Sequence, residues 1–320
     1  MDAGPQLNTA TRPLVCFGKL PTCGDFVRHN ASSPAVRSLE EWLQQGLYLA
    51  KPRMARAGDS RPARYGFVFS DAGGEESLTG TLRLSRDSVG RVYPFVVASV
   101  QDGGSSVSPL RLMDSFTAFG RWASAFVDRA AEGEVDCRHV GDALASAPSA
   151  ETRVQPETAA RLADASFRDF CVRTWGAFDD DRKYIVFKNL LDVAAPLRGG
   201  VPSRYSLAIQ CPLGMEDGRS VSLAFWIELI HRLVGAASAT LFWTEDRGGM
   251  SRPFLLLYPG IASAKGAPVL FIDAFDSDGI CDLERMGNLS RTEAERALPG
   301  SCIRLLEDEN ISLREFAASL

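Results

Sequence analysis

Residues 17–28, which read FGKLPTCGDFVR, are the most informative stretch of this chain. They continue the apolar run Leu14–Phe17, which predicts a short buried strand. Two glycines, a proline and an aspartate after a strand predict a loop with a fixed path, because these residues favour or impose turn conformations. Lys19, Asp25 and Arg28 add three charges, and the sequence leaves open whether they pair internally or face a partner.

Two further elements have a similar character. Residues 87–95, DSVGRVYPF, begin as a polar turn from which Arg91 leads into a strand. Proline cannot donate a hydrogen bond to a neighbouring strand, so Pro94 predicts that this strand lies at a sheet edge or carries a bulge. Residues 241–244, LFWT, form the aromatic end of a later strand.

The first half of the chain predicts two helices around an antiparallel meander. Ser33 and Pro34 are typical of a helix start, and Pro52 is the predicted stop. A second helix is predicted to begin at residues 108–109 and to continue to about 130. The three meander strands are predicted at Tyr65–Ser70, Leu78–Leu84 and Tyr93–Val100.

The second half mixes the same two element types. Helices are predicted at 157–173, 220–235 and 311–319, and strands at 205–209, 239–243, 254–258 and 269–272. Together the two halves predict a layered α/β fold with a mixed, partly antiparallel sheet flanked by helices. The predicted regions are a polar N-terminal tail (1–12), an N-terminal α/β region (13–131), a weakly structured connection (132–155), a second α/β region packed on the first (156–260) and an acidic C-terminal segment (261–320).

Composition excludes several classes of protein. The 320 residues carry a formal charge of −5, whereas nucleic-acid binders usually present a basic field. The most apolar stretch, residues 221–243, contains Glu228, His231 and Arg232, so no membrane span is expected. The polar beginning of the chain lacks the apolar core of a secretory signal. We therefore expect a cytoplasmic protein that neither inserts into a membrane nor binds nucleic acid.

The last sixty residues are acidic, with six Lys/Arg against eleven Asp/Glu. A solvated surface and a docking surface for a basic partner are both compatible with this charge. The aspartates at 273, 276 and 278 also permit an alternative function, a magnesium-dependent hydrolase, because carboxylates near strand ends can hold that ion.

Other chemistry has little support in the sequence. The seven cysteines include no C-x-x-C pair and suggest reduced thiols, and the three histidines are not at metal-ligand spacing. Neither a nucleophile elbow nor a phosphate-binding glycine loop occurs. We therefore expect no catalytic residues, no metal site, no cofactor and no enzymatic activity.

The quoted elements resemble the TagF family, also called ImpM, of type VI secretion-associated proteins. The residues that carry the resemblance are Gly18–Pro21 and Gly24–Phe26 near the N-terminus, Trp42 in the first helix, residues 87–94 and residues 242–244. Their order and spacing agree with the family pattern, although Tyr93 replaces the usual phenylalanine and Cys23 stands where other residues are usual.

The resemblance implies a layered α/β fold and a cytoplasmic, non-enzymatic regulator. Such proteins are post-translational repressors of type VI secretion that act through a forkhead-associated scaffold protein; a structural accessory subunit of the apparatus is the alternative. The candidate partner-binding residues are those that match the motifs or lie beside them: Gly18, Lys19, Pro21, Gly24, Asp25, Phe26, Arg28, Gly90, Arg91, Pro94 and Trp243. Whether they contact the partner or maintain the fold is left open by the sequence.

Overall fold

The computed structural model describes residues 14–54, 62–70, 75–102, 117–148, 157–202, 205–214, 219–235, 239–246, 248, 252–272 and 279–320. Its strands are β1 (Leu14–Gly18), β2 (Val27–His29), β3 (Arg64–Ser70), β4 (Glu76–Arg86), β5 (Val92–Asp102), β6 (Ala208–Pro212), β7 (Thr240–Asp246), β8 (Phe254–Tyr258) and β9 (Ile280–Asp282). Its helices are α1 (Pro34–Met54), α2 (Thr117–Ala131), α3 (Val140–Ala145), α4 (Glu157–Asp164), α5 (Phe167–Trp175), α6 (Arg182–Ala194), α7 (Arg219–Val234), α8 (Arg291–Ala297), α9 (Gly300–Glu307) and α10 (Leu313–Ser319). Short 3-10 turns lie at Cys137–His139, Ala195–Leu197, Ala264–Leu270 and Met286–Asn288.

The strands form one mixed sheet in the order β2-β1-β5-β4-β3-β7-β8-β6-β9. Neighbouring strands are antiparallel except β6 and β9, which are parallel. The predicted layered α/β fold with a mixed sheet is thereby confirmed, as is the meander of β3, β4 and β5. Because β3 pairs with β7, the sheet is continuous across the predicted boundary between the two α/β regions.

Both faces of the sheet are covered, as the apolar alternation of its strands requires. In β1, Val15 and Phe17 belong to the core on one face, whereas Cys16 belongs to the core on the other. Helix α1 and the turn Ala264–Leu270 cover the first face; α2 and most helices of the second half cover the other.

An aromatic stack fixes α1 on the sheet. The indole of Trp42 lies parallel to the ring of Phe242 in β7, with centroids 4.7 Å apart and an interplanar angle of 5°. Stacked aromatic pairs contribute about 0.5–1.5 kcal/mol beyond the area they bury. Two residues that carry the family resemblance thus join distant parts of the chain within the core.

Three element boundaries were predicted wrongly. Helix α1 continues past Pro52 to Met54, because its last turn is exposed and can accommodate the proline ring. The predicted helix at 157–173 is split into α4 and α5, since Ser166 caps α5 by accepting the Asp169 N–H at 3.1 Å. The strand predicted from residue 205 begins at Ala208.

The element type of one stretch was also predicted wrongly. Residues 269–272, expected as a strand, form the last two residues of the turn Ala264–Leu270 and the two residues after it, and Pro268 in that turn cannot donate to a strand. Their apolar character reflects packing beneath α1, where a Cβ on Gly46 would lie 2.2 Å from Ala267 Cβ.

Pro94 marks neither an edge strand nor a bulge. It lies in β5, between β4 and β1, and pairs with Leu84 in an uninterrupted register. The proline is tolerated because it lies beyond Val96, the last β5 residue paired with β1. At that end β5 has one paired neighbour, β4, so the local environment is similar to that of an edge.

The predicted connection at 132–155 has defined structure in its described part, residues 132–148. It contains the turn Cys137–His139 and α3, and it buries Val135, Val140 and Leu144. These three apolar side chains are too widely spaced to give a periodic signal, which is why the sequence suggested weak structure. The tail 1–12, the predicted helix start at 108–109, the end of the connection and the aspartates at 273, 276 and 278 lie outside the described residues.

The acidic C-terminal segment is folded onto the rest of the chain. Phe316 of α10 stacks on Phe167 with centroids 4.4 Å apart. Several of its carboxylates have intramolecular partners: Glu293 and Glu315 complete capping boxes, and Glu284 pairs with Arg252 at 2.9 Å. Part of the negative charge of this segment is therefore paired or hydrogen-bonded within the protein.

Candidate functional site at two interlocked loops

The motif near the N-terminus, residues 18–26, lies against the motif at residues 87–94. We call residues 19–26, between β1 and β2, the motif loop, and residues 87–91, between β4 and β5, the β4–β5 turn. Sheet order explains the contact, because β5 pairs with both β1 and β4, so loops at the same ends of these strands become neighbours. The Ser88 N–H donates to the Cys23 carbonyl oxygen at 3.0 Å.

Asp87 is the centre of this junction. Its Oδ2 accepts from Lys19 Nζ at 2.7 Å and from Arg91 Nε at 2.7 Å. Its Oδ1 accepts the backbone N–H groups of Val89 at 3.1 Å and Arg91 at 2.8 Å. The carboxylate is fully buried, and the Lys19 side chain is 13% exposed. One buried carboxylate therefore joins the motif loop to the β4–β5 turn.

The ionised form of Asp87 is favoured despite its burial. Desolvation raises the pKa of a buried carboxyl group, but the hydrogen bonds from Lys19 and Arg91 oppose it and hold the pKa of Asp87 well below its usual range. A buried charge is retained only when it is paired and hydrogen-bonded. Lys19 and Asp87 thus form a structural ion pair at ordinary pH.

Gly18 makes the close approach of the two loops possible. Its φ of +136° lies in the region that side chains disfavour, and a Cβ there would be 2.2 Å from the Pro94 carbonyl oxygen. The atom that a Cβ would meet belongs to the backbone of the adjacent strand β5. Glycine is therefore required by both conformation and space.

Several side chains of the junction face solvent. Val89 at the tip of the turn is 68% exposed, and the Arg91 side chain is 59% exposed. Arg91 also donates from Nη2 to the Gly24 carbonyl oxygen, so its guanidinium bridges both loops. Asp25 is exposed on the motif loop. These three residues form what we call the junction surface.

Phe26 and Arg28 stabilise the far end of the motif loop. The Phe26 ring meets Tyr93 edge to face with centroids 5.2 Å apart, and the Arg28 guanidinium lies 5.0 Å from the Phe26 centroid. Arg28 also pairs with Glu40, whose carbonyl oxygen accepts from the Tyr93 hydroxyl at 3.1 Å. Burial, reinforced by the Glu40 charge, raises the pKa of Tyr93. The phenol thus remains a hydrogen-bond donor to α1.

The structure brings ten of the eleven candidate residues together, but some of them are buried and others are exposed. Trp243 lies apart in β7, buried beneath the sheet, where a Cβ on Gly66 would lie 2.3 Å from its ring. Gly18, Lys19 and Pro94 are inside the junction, whereas Asp25, Arg28, Gly90 and Arg91 are at its surface. The central residue, Asp87, was not among the candidates; the signal that could have found it is an aspartate beginning a turn with Gly90 and Arg91.

A second polar feature was missed by the sequence analysis. An open cleft of about 490 Å³ is lined by Arg64, Arg121, Ser124, Asp128 and Glu245, among others. Arg64 pairs with Asp128 and, at 3.1 Å, with Glu245, and Arg83 pairs with Asp128 at 2.9 Å. Its residues come from β3, α2 and β7, so no local motif marks it. Because its charges neutralise one another, we interpret it as a structural network between α2 and the sheet.

The described residues contain neither a metal-binding cluster nor a membrane-spanning helix. Among the residues that the structure describes, no three His, Cys, Asp or Glu side chains are grouped so that they could hold a metal ion. Within the same ranges, no helix combines the length and the apolar character needed to cross a membrane.

Comparison with known proteins identifies the region that contains the junction. Among solved structures, the crystal structure of PA0076 from Pseudomonas aeruginosa PAO1 is similar, with 18% sequence identity, coverage of 82% of this chain and 96% of that chain, and a TM-score of 0.49. A search of curated proteins found no match. Residues 15–147 match the family model of the TagF N-terminal domain, described as type VI secretion system-associated. The resemblance inferred from the motifs is thereby confirmed for residues 15–147, the part of the chain that this family model matches.

Proposed function

We propose that this protein is a cytoplasmic regulator that represses assembly of a type VI secretion system by binding its forkhead-associated scaffold protein. The observation that carries the proposal is the match of residues 15–147 to a type VI secretion-associated domain that contains both interlocked loops. The family resemblance supplies the repressor role and the scaffold as partner. The junction surface of Asp25, Val89 and Arg91 is our candidate for the contact.

Physical chemistry supports this choice of surface. A loop that is already ordered loses little conformational entropy when it binds, and the Asp87 hydrogen bonds order both loops in the free protein. Arginine is enriched in interfaces, and an exposed valine beside it adds apolar area. The glycines and Pro94 would then act indirectly, by shaping the surface.

The proposal assigns Lys19 a supporting role. Charge reversal at Lys19 is a poor probe of binding, because its amine neutralises the buried Asp87. Arg91 contacts the same carboxylate, so its loss would alter the turn as well as the surface. Substitutions at Val89 and Asp25 test binding more cleanly.

We expect Val89→Asp to weaken binding of the purified forkhead-associated scaffold protein by at least about tenfold. The side chain is 68% exposed, so the variant should fold normally while placing an unpaired charge in the contact. The measurement is the dissociation constant by calorimetry or interferometry, with melting temperature as the folding check. Val172→Asp is the matched control, because Val172 is also exposed, at 43%, but lies in α5 outside the matched domain.

If Val89→Asp and Val172→Asp weaken scaffold binding equally, or if neither variant weakens it, the junction surface is not the contact with the scaffold. Failure of the unmodified protein to bind the scaffold would overturn the partner assignment itself. Stoichiometric recovery with assembled secretion particles would instead favour the structural-subunit alternative, since a repressor should be depleted from them.

We also propose that the protein acts by binding and not by catalysis. The hydrolase alternative depends on aspartates 273, 276 and 278, and it predicts heat release on titration with millimolar magnesium. We expect no saturable binding in that titration, and a saturable signal lost on substituting those aspartates would contradict us.

A further inference from the structure

The fold brings the motif loop into contact with the segment that precedes α3. Thr22 and Cys137 are 115 residues apart, yet Thr22 Oγ1 accepts the Cys137 N–H at 3.2 Å and donates to the Val135 carbonyl oxygen at 2.8 Å. The Cys137 thiol also points back at the loop, with Sγ 3.8 Å from the Thr22 carbonyl oxygen. That carbonyl belongs to the peptide bond that joins Thr22 to Cys23.

Cys23 therefore lies beside Cys137. Interaction with the neighbouring Cys23 thiol, together with burial, raises the pKa of Cys137. Both residues are half-buried, so small oxidants in solution can reach them. By contrast Cys16, Cys171, Cys211 and Cys302 are buried in the core, and Cys281 lies in β9 at the sheet edge opposite β2.

The backbone on both sides of this contact is fixed by hydrogen bonds and packing. The Cys23 carbonyl oxygen accepts from Ser88 N–H, and the Cys23 N–H donates to the Leu20 carbonyl oxygen at 3.1 Å. On the other side, a Cβ on Gly133 would lie 3.6 Å from Pro21 Cβ, so the segment before Cys137 packs directly on the motif loop. The two cysteines thus lie where the motif loop and the segment before α3 are already packed against each other.

We propose that Cys23 and Cys137 are a redox-active pair that closes into an intramolecular disulfide, with a low-molecular-weight disulfide such as glutathione disulfide as the oxidant. The thiolate of one cysteine attacks glutathione disulfide, forming a mixed disulfide and releasing one glutathione thiolate. The second cysteine, after losing its proton, attacks the protein sulfur of the mixed disulfide and releases the second glutathione. Two thiols are oxidised and one glutathione disulfide is reduced to two glutathiones.

Closure links the motif loop covalently to the turn Cys137–His139. The proposal stands independently of the scaffold protein, since it concerns the isolated chain. Its functional consequence is that the loop carrying Asp25 becomes fixed to the segment before α3 under oxidising conditions.

The experiment equilibrates the reduced full-length protein with glutathione buffers of increasing disulfide fraction and then alkylates free thiols with N-ethylmaleimide. We expect intact mass spectrometry to show two labelling sites lost together, and peptide mapping to show residues 23 and 137 linked. In Cys23→Ser and in Cys137→Ser, we expect the remaining cysteine to retain bound glutathione. Cys281→Ser is the matched control and should behave like the unmodified protein, and thermal melts confirm that each variant folds.

Independent glutathione adducts on Cys23 and Cys137, without a linked peptide, would overturn the proposal. So would full alkylation of both residues in the most oxidising buffer, or a linkage that depends on Cys281.

Discussion

Replacing Gly18 with alanine is expected to lower the free energy of unfolding by about 4 kcal/mol or more. The new Cβ would lie 2.2 Å from the Pro94 carbonyl oxygen and 2.7 Å from Phe95 Cα. Both are backbone atoms of β5 in residues that pair with β4, so they cannot rotate away as a flexible side chain would. The φ of +136° adds conformational strain. Urea denaturation of the variant and the unmodified protein measures the loss.

Two other glycines of the junction separate these causes. Gly90 has a φ of +85°, but no atom lies within 4 Å of the point that a Cβ would occupy, so Gly90→Ala should cost about 1–2 kcal/mol from strain alone. A Cβ on Gly24 would make an ordinary 3.4 Å contact with Ser88 Oγ, and Gly24→Ala should change stability by less than about 1 kcal/mol. Similar losses at Gly18 and Gly90 would contradict the argument that backbone contact dominates.

The sequence predicts this region well where a local rule applies. Strand β1 ends at Gly18 as the apolar run and glycine indicate, and the β3–β5 meander follows from alternation and short links. The same rules fail where tertiary packing decides. The apolar residues 269–272 suggest a strand, but their burial comes from α1 packing on a 3-10 turn.

The roles of the motif residues could not be assigned in the same way. Lys19 and Arg91 are both cations beside glycines in the sequence, yet one is almost enclosed and the other is mostly exposed. The difference arises because Asp87, 68 residues after Lys19, reaches the first loop through the strand order. Likewise, nothing near Cys23 in the sequence indicates that Cys137 lies beside it. Pairings of this kind depend on topology and need the three-dimensional structure.

Replacing Asp87 with asparagine is expected to lower the melting temperature by about 5–10 °C at pH 7. The asparagine carbonyl can still accept the backbone N–H groups of Val89 and Arg91, but its amide nitrogen cannot accept from the Lys19 and Arg91 side chains. The change therefore removes the charge together with the Oδ2 acceptor. Without the carboxylate, the Lys19 ammonium is left 13% exposed and unneutralised by Asp87. Asp136→Asn is the matched control: hydrogen bonds from Arg138 hold the pKa of Asp136 well below its usual range, but this pair is exposed and should contribute little.

The effect of Asp87→Asn should depend on pH. The pKa of Asp87 is lowered in the folded protein, so its stabilisation is complete above the unfolded pKa of about 3.9 and is lost as pH falls towards the folded value. The difference in melting temperature between the two proteins should therefore shrink from pH 7 to pH 3. A constant difference over that range would show that lost packing, and not lost charge, destabilises the variant.

A double variant tests whether Lys19 and Asp87 act as one unit. Lys19→Met should also destabilise, because it leaves the buried carboxylate with Arg91 as its remaining cationic partner. In the combined variant both the Lys19 and the Asp87 charges are absent, so neither stays behind without its partner. The change in melting temperature should therefore be smaller than the sum of the two single changes. Additive changes would mean that each residue stabilises the junction separately, and the β4–β5 turn would then be held mainly by Arg91 and the backbone N–H groups that Asp87 accepts.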